Sequence, residues 1–207
     1  MLYDVNQREA IRAAAASDQL LTAHALGVDH AAMSWMERSG IIRRVIPGVY
    51  VGAAHPTDRL VEVAAWTVKH PHAVGCLLTA AAFHDLTDAF ARGTCLFVPF
   101  GTSPPRSRVV PVHAVQVAPS LVDPAHDDEN DILRLVVHRH AVRLTGPDRT
   151  TIDLWKYPAR IPQEYALDAL RRRLGATGFE MPRFARLAER LGVWSRIQPV
   201  AQGLSLR

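Results

Sequence analysis

The chain has 207 residues, 48% of them hydrophobic and 21% charged, with a formal net charge of +4. That balance belongs to a soluble globular protein, and no stretch approaches the ~20 apolar residues of a transmembrane helix, so a helical membrane protein is excluded. The length falls between one large domain and two smaller ones, and a small module joined to a larger one is the expected division.

The N-terminus lacks a cationic region followed by an apolar stretch and a cleavage site, so a cytoplasmic location is expected. Cys76 and Cys95 are the only cysteines. Their spacing fits neither a metal site nor a disulfide framework, and they read as buried free thiols. Lys69 and Lys156 are the only lysines. The positive charge is therefore nearly all arginine, whose forked donors suit phosphate and guanine, although a GC-rich genome gives the same bias.

Asn6–Ala16 reads as a first helix with Ile11, Ala14 and Ala15 at helical spacing, broken by Ser17 and Asp18. Leu20–Leu26 reads as a short second helix closed by Gly27. Asp29 then caps a third helix through Arg38 to Ser39, with Val28, Met33 and Met36 inward and His30, Ala31, Ser34 and Arg38 toward solvent. Trp35 reads as core. Ile41–Val45 and Val49–Val51 flank Ile46-Pro47-Gly48 as a hairpin. Together these elements specify a winged helix-turn-helix over roughly residues 6–51. On that geometry His30, Ser34 and Arg38 reach base edges while Arg43 and Arg44 on the wing contact phosphates. The competing reading is a solvated face on a module used for protein contacts.

Gly52–Thr57 reads as a linker, dividing a DNA-binding domain (1–56) from a larger domain (57–207). In the latter, Asp58–Lys69 and Leu77–Leu86 read as helices, and Cys95–Pro99, Val109–Val117 and Ile132–Val137 as strands of a small sheet. Pro147–Trp155, Pro162–Leu174 and Met181–Leu191 read as helices with proline near each start, and Pro199–Arg207 as a loose tail. The expected fold class is α+β: a winged helix-turn-helix followed by a mixed α/β domain with C-terminal helices.

Three clusters bear on chemistry. The acidic run Asp127, Asp128, Glu129 and Asp131 suits either Mg²⁺ or solvent, and solvation is favoured. Arg171, Arg172 and Arg173 fan around a helix and are also expected to meet solvent. His138 and His140 alternate on an expected strand, but no third ligand accompanies them, so no metal is assigned.

The phrases Gly40-Ile-Ile-Arg-Arg-Val-Ile-Pro-Gly-Val-Tyr50, Leu77-Leu-Thr-Ala-Ala-Ala-Phe-His-Asp-Leu86 and Leu144-Thr-Gly-Pro-Asp-Arg-Thr-Thr-Ile-Asp153 occur in that order across about 110 residues. With them the chain resembles the AbiEi-type antitoxins of type IV toxin-antitoxin systems. Asp85 stands where that family has the glycine of a His-Gly-Leu-like turn. The resemblance implies a winged-helix repressor of its own promoter, joined to a domain that neutralises a nucleotidyltransferase toxin encoded beside it. Within the family the chain looks similar to the MenA group, including its TakA type, an atypical serine kinase acting on the toxin.

The chain has no Gly-rich phosphate loop, no His-Arg-Asp catalytic loop and no Asp-Phe-Gly, so a kinase would be atypical and would need ATP and Mg²⁺. By chemistry Asp148, Arg149, Asp153 and Lys156 are its candidates. Their structural alternative is that Asp148 caps the helix beginning beside it and Asp153 pairs with an arginine on the same helix face. Three functions compete: an antitoxin and autorepressor, a kinase that phosphorylates the toxin, and a ligand-responsive transcription regulator. Promoter DNA and the toxin are the expected partners of the first.

Overall fold

A computed structural model describes residues 5–56, 58–89 and 91–205, with side chains for all of these except 5–8 and 205. Thr57, which ends the expected linker, and Leu206 and Arg207, which end the expected tail, lie outside the described residues. The chain forms two compact units, one of Met1–Pro71 with Ser107–Val110 and Leu135–Val142, the other of His72–Arg106, Pro111–Arg134 and Arg143–Arg207. The fold class is α+β, as expected.

The first unit begins with α1 (Val5–Ala16), α2 (Ala23–Leu26) and α3 (His30–Arg38). Thr22 caps α2 by accepting from the Ala25 amide, and Gly27 closes it in the left-handed region at φ +63°. Asp29 caps α3 by accepting from the Ala32 amide at 2.7 Å. The expected second helix loses its first residues to a strand-like pairing, in which Leu21 exchanges amide-carbonyl bonds of 2.8 and 2.9 Å with Tyr50. Strands β1 (Ile42–Ile46) and β2 (Val49–Gly52) pair antiparallel through the Pro47-Gly48 turn, with Arg44 opposite Tyr50. Ile42 and Tyr50 join Ala14, Leu21, Met33 and Met36 in one buried cluster, which is the core of a winged helix-turn-helix.

Helix α4 (Val61–Lys69) packs on β1 and β2, and this carries the first unit to Pro71, beyond the linker expected at 52–57. Lys69 Nζ donates to the Pro47 carbonyl, clamping the wing turn from α4.

The remaining elements are β3 (Val74–Gly75), α5 (Leu77–Phe83), β4 (Thr94–Pro99), β5 (Val112–Val117), β6 (Ile132–Val137), β7 (His140–Thr145), α6 (Pro147–Lys156), α7 (Gln163–Leu174), α8 (Met181–Arg190) and α9 (Trp194–Ser205). The sheet order is β5-β4-β3-β7-β6, with β4 parallel to β5 and antiparallel to β3. The strand expected from Val109 begins only at Val112, and Val109 is exposed. His138 and Arg139 have φ of +48° and +56° and form the two-residue turn between β6 and β7. His138 therefore does not alternate with His140 along a strand, contrary to expectation.

Helix α6 is the hub of the second unit: every residue from Asp148 to Trp155 is buried, and α5, α7, α8 and α9 all pack on it. Two aspartates and an arginine lie in that run, and buried charges persist only when paired. The Arg149 Nε donates to Asp153 at 2.7 Å with both side chains 1% exposed, and its guanidinium sits 5.7 Å from the centre of the Phe97 ring. Burial nevertheless raises the Asp153 carboxyl above its ordinary range, against the pull of Arg149. Asp148 takes Arg173 Nε at 2.5 Å.

The cap of α6 comes from outside the helix. Asp131 Oδ2 accepts from the Arg149 amide at 2.9 Å, and the Asp131 carboxylate also takes Arg183 at 3.0 Å. Asp131 thus supplies the side-chain cap that Asp148 was expected to give, while Asp148 lies in the first turn of α6, where negative charge is also favoured. A Cβ on Gly146 would stand 2.5 Å from Asp131 Oδ1, so only glycine leaves room for this carboxylate. Solvation was the expectation for the acidic run and the arginine triplet, yet both supply these partners. Asp127 is buried between Arg134 and Arg143, Asp131 serves α6, and Arg172 and Arg173 pair with Asp88 and Asp148. Asp128, Glu129 and Arg171 remain exposed.

The C-terminal tail is helical, a further departure from expectation. In α9, Ile197, Val200, Ala201 and Leu204 recur at helical spacing, and Ile197 and Ala201 are buried in the main core. Pro199 lies only five residues into α9, so it removes one early hydrogen bond, and apolar burial outweighs that loss.

Two predictions follow from this packing. Ile197→Ala should lower unfolding free energy by about 2–5 kcal/mol, and Gly203→Ala, in open space on the same helix, should raise it by roughly 0.5–1 kcal/mol. Urea unfolding checks both; no loss at Ile197 would mean that α9 does not dock. Asp153→Asn should cost about 3–5 kcal/mol by stranding Arg149, and the double variant Arg149→Met, Asp153→Leu should recover most of that loss.

Candidate functional site

The outward stripe of α3 is the strongest candidate surface. His30 and Arg38 are exposed and Ser34 is half-buried, and positions 30, 34 and 38 are four residues apart, so they share one face. Met33 and Met36, each 1% exposed, fix the opposite face in the core and thereby set the orientation of the stripe. Among the described residues no hydrogen bond or ion pair engages the His30, Ser34 or Arg38 side chains. Trp35 packs half-buried against the helical core, as expected.

The wing arginines separate. Neighbouring residues on a strand point to opposite faces, so Arg43 and Arg44 cannot serve one surface. Arg44 is exposed beside α3, its Nη2 donating to Glu37 Oε2 at 2.5 Å and its guanidinium 5.5 Å from the Tyr50 ring centre. The hydrogen bond it donates to Glu37 favours the charged guanidinium, raising its pKa above the ordinary arginine value. Arg43 is half-buried, and its Nη2 is enclosed with no partner among the described residues. The stripe therefore gains Arg44, held in place by Glu37, and loses Arg43. Glu37 was not legible as a functional residue, because its partner lies seven residues away in a different element.

The four phosphoryl-transfer candidates do not form an open site. Asp148, Arg149 and Asp153 are 0–2% exposed and committed to the ion pairs of α6. Lys156 is half-buried at the end of that helix, and burial lowers its pKa despite the Asp153 charge. Among the described residues no group of three or more His, Cys, Asp or Glu side chains is arranged to hold a metal ion. His138 Nδ1 donates to the Asp18 carbonyl at 3.3 Å, and His140 Nε2 lies 3.0 Å from Thr67 Oγ1, so the two rings have separate partners. Cys76 and Cys95 are buried free thiols, and burial pushes both above the ordinary thiol range, which leaves them neutral. Among the described residues no helix is long and apolar enough to cross a membrane.

No protein-family model and no curated protein matches the chain. Among solved structures it is similar to the crystal structure of the RV2827C protein from Mycobacterium tuberculosis, with a TM-score of 0.59 and 16% sequence identity. The likeness covers 97% of this chain and 82% of that one, and at this identity it carries the fold alone.

Proposed function

We propose that this protein is a DNA-binding antitoxin: it represses its own operon through the winged helix and neutralises a nucleotidyltransferase toxin encoded beside it. The observation that carries the DNA-binding half is the unpaired stripe His30, Ser34 and Arg38 on α3, beside Arg44 at the wing. An exposed third helix of this kind fits the major groove, where an arginine reads guanine, while a wing cation meets phosphate. The toxin-neutralising half rests on the three phrases that resemble the AbiEi-type antitoxins, and it assigns that role to the second unit. A cytoplasmic location belongs to the same reading.

Binding to the DNA upstream of the gene, measured by fluorescence anisotropy across a salt series, tests the first half. Arg38→Ala should erase about tenfold or more of the preference for that DNA over unrelated duplex. Arg44→Ala should weaken binding on all sequences and reduce the salt slope by about one, whereas Arg43→Ala should leave the slope unchanged. Equal behaviour of the parent on both duplexes would overturn operator recognition.

Co-expression with the neighbouring gene product tests the second half. The expected outcome is restored growth with a stable complex and unchanged toxin mass. A gain of ~80 Da that requires this protein and ATP would instead mean phosphorylation. Absence of rescue would overturn the antitoxin role and leave DNA binding intact.

A further inference from the structure

The second unit holds a cavity of about 480 Å³, in the size range of small-molecule sites. Its walls come from three layers. Cys95 on β4 pairs in register with His113 on the edge strand β5, and both contribute to the cavity with Val115. The opposite wall is Leu77 and Leu78 of α5, and the end is closed by Ile161 and Tyr165 at the entry to α7.

Along β5, residues 113, 115 and 117 share one face, and Val115 and Val117 are buried in the core while His113 is exposed. The core thus ends at Val115, and the cavity continues it outward to the surface. The lining is apolar at the buried Leu77, Val115 and Ile161 and basic at the exposed Arg92, Arg160 and His113, and no carboxylate lines it. His113 Nε2 donates to the Arg92 main-chain carbonyl at 3.3 Å, which ties the His113 ring to the loop that carries Arg92.

Arginine pairing in this unit sharpens the contrast. Arg134, Arg143, Arg149, Arg172, Arg173 and Arg183 all hold aspartates. The Arg92 and Arg160 guanidiniums have no such partner among the described residues. The wall also carries backbone strain: Leu77 adopts φ +48°, a region costly for a residue with a side chain and concentrated at ligand sites. Cys95 stays a neutral thiol here and contributes an apolar surface rather than a nucleophile.

From this arrangement we infer that the cavity binds a small organic anion, its aromatic or aliphatic body against Leu77, Leu78 and Val115 and its carboxylate held by Arg92 and Arg160. Tyr165 supplies a ring edge for the body.

Isothermal titration of the full chain with naphthalene-1-carboxylate, decanoate and their uncharged amides tests it. At least one carboxylate should bind about tenfold more tightly than its own amide. The double variant Arg92→Gln, Arg160→Gln should reduce that preference to within about twofold while leaving amide binding in place. Ala91→Trp, on the loop at the cavity wall, should abolish binding of both forms, and Leu78→Trp on the facing wall provides the same test if the first variant folds poorly by circular dichroism. Failure of every carboxylate to bind below about 1 mM overturns the proposal. Equal affinity for acid and amide in the parent, or binding that survives the filled cavity, overturns it as well.

Discussion

A fully buried arginine and aspartate on one helix set the terms for the second unit. With both side chains of the Arg149–Asp153 pair enclosed, leaving either alone would strand a buried charge at a cost of about 3–5 kcal/mol. The pair holds only if α6 is helical, because the two residues meet at a spacing of four, and only if α6 is surrounded on all sides. The surrounding helices α5, α7, α8 and α9 provide that enclosure. The second charge in the run, Asp148, then recruits Arg173 from α7, while Asp131 caps the helix and takes Arg183 from α8. A chain of ion pairs therefore ties the loop before β6 to three helices, and apolar packing alone does not specify that arrangement. Its use as architecture also removes Asp148, Arg149 and Asp153 from contact with any nucleotide.

The first unit solves a different problem, that of presenting polar groups outward without losing register. Met33 and Met36 anchor α3 from beneath, and the Leu21–Tyr50 bridge fastens the helices to the hairpin by main-chain bonds. Glu37 binds Arg44 across the seam between helix and wing, so the wing cation is positioned by the fold itself. That bond also reduces the free positive charge of the surface. The stripe of α3 is consequently suited more to selective contacts than to strong non-specific attraction.

Polar and apolar surfaces are separated differently in the two units. In the winged helix the polar stripe lies on a helix face opposite the core, whereas in the larger unit it rings a cavity that extends the core outward. The first suits an extended polyanion. The second suits a compact ligand with one charged end.

Local order was readable from residues alone because its causes are local. The caps Thr22 and Asp29, the Gly27 turn, the Pro47-Gly48 hairpin and the spacing of Met33 and Met36 each act within a few residues, and the winged helix was legible from them. The α3 stripe followed directly, since helical spacing fixes which side chains share a face. What failed depended on partners distant in sequence. Asp131 caps a helix that starts sixteen residues later, Arg173 reaches Asp148 across 25, and Leu21 leaves the helix to pair with Tyr50. Charged residues such as Asp127 and Arg173 read as solvated because a sequence does not reveal that a counter-charge will arrive to offset desolvation. The tail around Pro199 read as loose because its helicity comes from burial of Ile197 and Ala201, not from propensity. Sequence alone determined most of the secondary elements and the outward stripe of α3; only tertiary structure decided which charges are buried, which arginines remain free and where the core opens into a cavity, because each requires surfaces far apart in the chain to meet.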